Sequence, residues 1–443
     1  MIKLLCTTKA QTERIRMKII VKNVAKIIEA QLSLDGLTVI AGYNNMGKST
    51  ILKSVYMALN TFRNANSKVN MVRTRSIASY FLNLEPYFDE NGYNQLPREL
   101  LLAIADKVNE YLLDFSNGTK DNYQLFKRIF FASLEKYREY WPDDFEAGRI
   151  HTDSFLLPVY EKVKEICTRD KDMDLKYIGE MYIRNVFKGQ VCSLGNAKDA
   201  LIEIDSGSEH YQMTIKDNKI SDMHYNINTE ADVFYLPAYN LLDMAGQFVG
   251  AKRVYSPEYD MKSVLLADEE EPTLEEYQEI EDNIKVIKDI LEEIIQGRLE
   301  RQPSGNIFFQ ENGWEDSVSI GNVASGLKTF LIIQAFVEKG RLKRNSILLI
   351  DEPETNLHPE WHMKFAEILV LMYKNMGVRS IVNSHSPYFI RALEVKMADY
   401  GIKEKGHYYL MEEIDRNLCR AQDVTAETDK IYELMYRPLE YLP

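Results

Sequence analysis

The chain has 443 residues, of which 45% are apolar and 27% charged, so it is long enough for two or three domains and able to bury a core. Its net charge of −13 excludes a generally basic surface, so any nucleic-acid contact would need a local basic patch. There is no apolar stretch of about 18 residues for a membrane span, no signal-peptide pattern, and the four cysteines are far apart. We therefore expect a cytoplasmic protein with reduced thiols and no membrane partner.

The first unit, residues 1–62, is expected to combine short strands with one helix. Residues 17–24 and 25–34 have strand character, and residues 37–42 form a short apolar run typical of a buried strand. A glycine-rich loop follows. Residues 49–62 then place their apolar side chains on one helical face.

Residues 63–191 lack strand alternation and predict a large helical insertion, with helices at 96–113, 122–140, 154–167 and 175–187. The insertion begins with a basic cluster of Lys68, Arg73 and Arg75. We interpret this cluster as a solvated basic loop, with contact to nucleic-acid phosphate as the alternative.

Near the end of the insertion stand Asp170, Asp172 and Asp174, spaced as in a calcium-binding loop. The glycine and glutamate that such a loop requires are missing, which favours a solvated turn.

The remaining chain returns to strands and helices. Residues 192–245 predict an antiparallel β lobe, and residues 246–304 a linker with a helical arm at 273–298. Residues 305–443 predict an α/β unit with buried strands at 346–351 and 379–384, helices at 325–340 and 359–376, and a terminal hairpin.

The glycine-rich loop, residues 42–49, matches G-x-x-x-x-G-K-[ST] between a strand and a helix. Its glycines let backbone N–H groups surround a phosphate at the positive end of the helix. We expect Lys48 to reach the β- and γ-phosphates of ATP and Ser49 to bind Mg²⁺; the alternative is an ordinary strand–helix turn. The predicted nucleotide contacts in this loop are Gly42, Asn44, Asn45, Gly47, Lys48, Ser49 and Thr50.

A second motif lies at the end of the buried strand 346–351. Asp351 is the predicted Mg²⁺ ligand together with Ser49, and Glu352 is the predicted general base for an attacking water. His385 follows the next strand, where it could hydrogen-bond a γ-phosphate or hold the water; a lone histidine there would otherwise be structural. The predicted catalytic residues are Lys48, Glu352 and His385.

A further motif, Ser325-Gly326, stands at the start of a predicted helix ahead of the acidic strand. A helix start of this kind offers a hydroxyl and free N–H groups to a phosphate. The alternative is a plain helix cap by Ser325.

With these motifs in this order, the chain resembles the ABC-type ATPases of the SMC, RecF and OLD kinds. More narrowly, it is similar to the AAA-named ATPase subunits of bacterial anti-phage defence systems of the OLD-like, Septu and PARIS types. The resemblance covers roughly residues 17–62 and 305–395, with a looser match at residues 233–240. It implies an α/β fold, namely an ABC-type P-loop ATPase head with a mixed sheet, an antiparallel β lobe and a large helical insertion.

The resemblance also implies a homodimer, or a higher homo-oligomer, in which paired heads hold two ATP molecules between them. Ser325 and Gly326 would be the signature motif that contacts the γ-phosphate on the opposite head. Glu352 would be the catalytic acidic residue and His385 the switch histidine, with residues 356–359 at the dimer seam.

The sequence departs from this family in three places. The signature continues with leucine and lysine, where many ABC proteins have a second glycine and then glutamine. Gln247 is the candidate for the Mg²⁺-contacting glutamine, and Asn240 stands where relatives often have arginine.

The output of the ATPase is expected in another polypeptide. OLD nucleases carry a C-terminal nuclease domain with paired aspartates, and no such pair follows His385. We therefore expect a separate effector, a nuclease or toxin, in anti-phage defence. The alternative is a RecF-like DNA-repair ATPase that binds DNA directly.

Overall fold

A computed structural model describes residues 17–83, 98–113, 122–136, 153–195, 198–207, 209–226, 232–239, 241–243, 254–266, 274–302, 306–415 and 417–437. The chain divides into two compact units. The head unit contains the residues up to Arg63 and those from Gly179 onward, and the helical unit contains Asn64–Ile178. None of the helices in the described part of the chain is long and apolar enough to cross a membrane.

The described strands all belong to the head unit. They are β1 (Lys18–Val24), β2 (Ile27–Ser33), β3 (Leu37–Ala41), β4 (Ala200–Asp205), β5 (His210–Lys216), β6 (Lys219–Asn226), β7 (Val233–Leu236), β8 (Gly297–Arg301), β9 (Ile307–Glu311), β10 (Val318–Ser319), β11 (Ile347–Asp351), β12 (Arg379–Ser384), β13 (Gly406–Asp415) and β14 (Leu418–Asp423).

The described helices are α1 (Lys48–Phe62), α2 (Ala65–Leu82), α3 (Arg98–Leu113), α4 (Asn122–Lys136), α5 (Asp153–Thr168), α6 (Lys171–Val186), α7 (Pro257–Leu266), α8 (Leu274–Ile294), α9 (Ser325–Glu338), α10 (Pro359–Met376), α11 (Pro387–Asp399) and α12 (Asp429–Tyr436). Helices α2 to α5 and the first half of α6 form the helical unit. The predicted helix 273–298 ends earlier than expected, because residues from Gly297 form strand β8.

A mixed sheet organises the head unit. Across the described residues it has 11 strands in the order β6-β5-β4-β1-β2-β14-β13-β3-β12-β11-β7. Strands β13, β3, β12, β11 and β7 run parallel, whereas β6, β5, β4, β1 and β2 pair in antiparallel fashion. A second sheet of 3 strands has the order β10-β9-β8 within the same part of the chain. The expected α/β head with a mixed sheet and an antiparallel lobe is confirmed.

The parallel centre of the sheet positions the predicted motifs. All five residues of β3 and of β11 are buried, as expected for parallel strands that are covered on both faces. In register, β12 pairs Ser384 with Ala41 of β3 and Asn383 with Asp351 of β11. The carboxyl ends of these three strands therefore meet at one edge of the sheet.

The core on one face of this sheet is apolar and contiguous. Phe330 and Phe336 of α9, Phe365 of α10 and Phe389 of α11 are fully buried in one cluster with the strand residues. Phe330 and Phe365 pack edge to face, with ring centroids 5.6 Å apart. The same core thus fixes helices α9, α10 and α11. Their N-termini lie at or directly after the predicted motifs.

A buried ion pair lies inside the helical unit. Arg73 of α2 donates from Nε to Asp174 Oδ2 at 2.8 Å and from its terminal nitrogens to the carbonyls of Cys167 and Arg169 at 2.7 and 2.6 Å. The side chain of Asp174 is 1% exposed and also pairs with Arg169. The expected basic loop is wrong, because Arg73 is buried in a helix. Asp170 and Asp172 are exposed, as expected of a solvated turn, whereas Asp174 faces inward from the first turn of α6.

We predict that Asp174→Asn strongly destabilises the helical unit. The substitution leaves the buried Arg73 guanidinium without its carboxylate, a loss that typically costs about 3–5 kcal/mol. Glu110→Gln is the control, because the pair of Lys107 and Glu110 is exposed and such pairs contribute at most about 1 kcal/mol. Hydrogen exchange of peptides from residues 64–178 measures both variants, and equal protection in the two would contradict the prediction.

Candidate nucleotide-binding site

The loop between β3 and α1 has the conformation of a phosphate-binding loop. Gly42 and Gly47 have φ values of 149° and 86°, in the left-handed region that favours glycine, and Asn45 has φ 68°. A Cβ on Gly47 would lie 2.5 Å from Ile27 Cδ1, so the loop packs closely against β2. Sequence spacing found this loop because both glycines are required by local backbone geometry.

Lys48 closes the loop from inside. Its Nζ donates to the carbonyls of Gly42 at 2.8 Å and Tyr43 at 2.9 Å, and the residue is only 5% exposed. Burial lowers the pKa of Lys48, while the nearby carboxylates of Glu352 and Asp351 act to raise it. The Lys48 ammonium thus lies among carbonyl and carboxylate oxygens. A bound phosphate would add another negatively charged group for it to contact.

The Asp351 carboxylate is the point at which several segments meet. Its Oδ1 accepts from Ser49 Oγ and Asn383 Nδ2, each at 2.9 Å, and its Oδ2 accepts from the Tyr235 hydroxyl at 3.1 Å. Asp351 is 6% exposed. The Ser49 hydroxyl and the Asp351 carboxylate are hard oxygen ligands at hydrogen-bond distance, which fits the ligand preference of Mg²⁺.

Glu352 follows Asp351 in a strained conformation. Its φ of 52° is unusual for a residue with a side chain, and its N–H donates to the Asn383 carbonyl at 3.0 Å. Its Oε1 lies 3.8 Å from His385 Nδ1, and its side chain is 27% exposed. The structure therefore brings the predicted general base and the predicted switch histidine together.

Four residues of this site had no role assigned from the sequence, namely Tyr235, Asn383, Glu354 and Lys26. Lys26, in the turn between β1 and β2, donates from Nζ to Asn45 Oδ1 at 2.8 Å and adds a positive charge beside the loop. Asn383 could have been found, because it directly precedes Ser384-His385 at the end of the strand. The others depend on strand order and register.

The signature residues lie against the loop that follows β11. Ser325 is the exposed first residue of α9, whereas Gly326 is buried, and a Cβ on Gly326 would lie 2.5 Å from the Asn356 carbonyl. A cavity of about 40 Å³ is lined by Ser325, Asp351, Glu352 and Asn356, among others. Glycine at 326 is thus required by the close approach of two backbones within one chain.

The atypical lysine of the signature has a structural role in this fold. Lys328 is 2% exposed, pairs with Asp243 and also donates to the Gly321 carbonyl at 3.3 Å. It fixes the start of α9 to the turn at residues 241–243. Gln247 and Asn240, which the resemblance singled out, lie outside the described residues.

We predict that Tyr235→Phe lowers the affinity of the candidate site for Mg²⁺ without disrupting the fold. The substitution removes one of the donors that orient Asp351, and loss of such outer contacts typically costs about 10- to 100-fold in metal affinity. Titration of Mg²⁺ against the binding of a fluorescent ATP analogue measures the change. Tyr239→Phe is the matched control, because the Tyr239 hydroxyl bonds Glu258; an equal change in both variants would contradict the prediction.

The chain has similarity to known proteins. The chain is similar to a retron Vc95 probable ATPase from Vibrio cholerae serotype O1 biovar El Tor, with 22% identity over 79% of this chain and 66% of that protein. The chain thus spans just under two thirds of the length of this curated relative.

Solved structures with similarity include an SMC head bound to the C-winged helix domain of ScpA, with 10% identity, a TM-score of 0.43 and coverage of 94% of this chain and 99% of that one. The SMC head domain from Thermotoga maritima has 11% identity and a TM-score of 0.36, over 92% and 98% of the two chains. A family model described as an AAA ATPase domain matches residues 17–390. The chain therefore belongs to this AAA ATPase domain family, AAA_15.

Proposed function

We propose that this protein binds ATP with Mg²⁺ and hydrolyses it to ADP and phosphate. The observation that carries the proposal is the cluster at one sheet edge, where Lys48, the Ser49–Asp351 pair, Glu352 and His385 come together. Such a cluster combines phosphate binding, metal coordination and a base, which are the parts that phosphoryl transfer to water requires.

Each residue has a distinct part in the proposed reaction. The backbone of residues 42–47 and Lys48 hold the β- and γ-phosphates. Ser49 and Asp351 would hold Mg²⁺, which would supply neutralisation of the phosphate charge. Glu352 accepts a proton from the water that attacks the γ-phosphorus, and the bond to the ADP oxygen breaks. His385 hydrogen-bonds the γ-phosphate or holds the water.

We further propose that two copies meet head to head around ATP. The proposal is supported by Ser325, which is exposed at the N-terminus of α9, the positive end of a helix that favours a phosphate. Because Gly326 packs on the Asn356 carbonyl, the signature and the loop at the expected seam would move together. ATP would then close a dimer and hydrolysis would open it.

We predict that Glu352→Gln binds ATP but hydrolyses it at least about 100-fold more slowly, because the amide cannot accept the proton. The variant should accumulate as an ATP-dependent dimer, measured by light scattering with and without ATP. Lys48→Ala is the control variant that should lose ATP binding, and it should therefore stay monomeric. Hydrolysis by Glu352→Gln at the wild-type rate would show that another group is the base.

The dimer would control a separately encoded effector, a nuclease or toxin, in anti-phage defence within the cytoplasm. Support comes from the family and from the relative that is described as a retron probable ATPase. Direct DNA binding in a RecF-like repair role has less support, because Arg73 of the expected basic cluster is buried in an ion pair.

We predict that the tagged protein co-purifies with the product of a neighbouring gene when expressed from its native locus. Retention should differ between Glu352→Gln and Lys48→Ala, because the partner is expected to distinguish the closed from the open dimer. Recovery of the chain alone in both variants would contradict effector control. ATP-dependent retention of DNA on filters that falls with salt would instead favour the repair role.

A further inference from the structure

Glu354 is a buried carboxylate that the proposed reaction does not use. It is 7% exposed and lies in the loop after β11. Its Oε1 accepts from Ser384 Oγ at 2.8 Å, from His385 N–H at 2.8 Å and from Ser386 N–H at 3.1 Å. These donors are the last residue of β12 and the first two residues of the loop after it, which carries the switch histidine.

The histidine side chain faces the same carboxylate. His385 Nδ1 lies 3.4 Å from Glu354 Oε1 and 3.8 Å from Glu352 Oε1. Hydrogen bonds to an ionised acceptor are about twice as strong as neutral ones. Glu354 therefore links the loop of the proposed base to the loop of the histidine, and it sets the separation of Glu352 and His385.

The energetic cost of burying Glu354 indicates that this residue serves the candidate site rather than the stability of the core. Glu354 Oε2 is buried and has no hydrogen-bond partner among the described residues. A buried carboxylate with an unpaired oxygen opposes folding unless its other contacts compensate. A neutral amide of the same shape would cost less to bury but would hold the loop less firmly.

We propose that Glu354 is a positioning residue for hydrolysis, acting through His385. It fixes the backbone of residues 384–386 and thereby holds the imidazole beside Glu352. The proposal rests on the proposed ATPase function, in which His385 contacts the γ-phosphate or the water. It assigns no direct contact between Glu354 and the nucleotide.

The first test compares Glu354→Gln with Glu360→Gln, an exposed glutamate at the start of α10. Glu354→Gln should keep its ATP affinity within about 2-fold and lose about 10- to 100-fold in kcat, as for outer contacts that orient a working group. Combined with His385→Ala, it should cause no further loss, because both changes remove the same positioned histidine. An unchanged kcat, or losses that multiply in the double variant, would overturn the proposal.

A second test does not depend on hydrolysis. In the wild-type full chain, the amides of His385 and Ser386 should exchange with deuterium at least about 100-fold more slowly than open amides, because both are hydrogen-bonded. In Glu354→Gln their exchange should accelerate, and in Glu360→Gln it should not. Unprotected amides in the wild type would overturn the proposal that Glu354 fixes this loop. Absence of hydrolysis with protected amides would overturn only the ATPase function.

Discussion

The Asp351 carboxylate joins segments that are far apart in the chain. It accepts hydrogen bonds from Ser49 of α1, Tyr235 of β7 and Asn383 of β12. A carboxylate this buried is costly unless it is well paired, so these donors must be in place for the head to fold. The order β3-β12-β11-β7 is what supplies them, since each strand or the helix after it brings one partner.

The same strand order explains where strain is tolerated. Glu352 has φ 52°, yet its N–H is held by the Asn383 carbonyl at 3.0 Å, and Thr355 Oγ1 lies 3.4 Å from its Oε2. A strained residue persists only where its surroundings determine it fully. Here the tight turn sends Asp351 toward α1 and Glu354 back toward the neighbouring loop, so that one short segment contacts both the proposed metal site and the loop of His385.

The sequence predicted the parts of the site that depend on local spacing. The phosphate-binding loop, Asp351 and Glu352 are recognisable because glycines, lysine and carboxylates must stand at fixed offsets from a strand end. Tyr235 and Glu354 were missed, because their partners are set by the register of β11 against β7 and β12. The charged clusters were misjudged for a related reason, since Arg73 and Asp174 are separated by 101 positions and neutralise each other only in the folded chain.

Aromatic packing extends from Tyr235, a hydrogen-bond partner of Asp351, through the head unit. The Tyr235 ring lies 5.8 Å from that of Tyr56 in α1, and Tyr56 packs edge to face on Tyr182 in the second half of α6 at 5.7 Å. The chain leaves the head after α1 and returns to it in α6. Tyr56 thus packs between Tyr235, a hydrogen-bond partner of Asp351, and Tyr182. The aromatic contacts therefore continue from the buried carboxylate into the second half of α6 within the head unit.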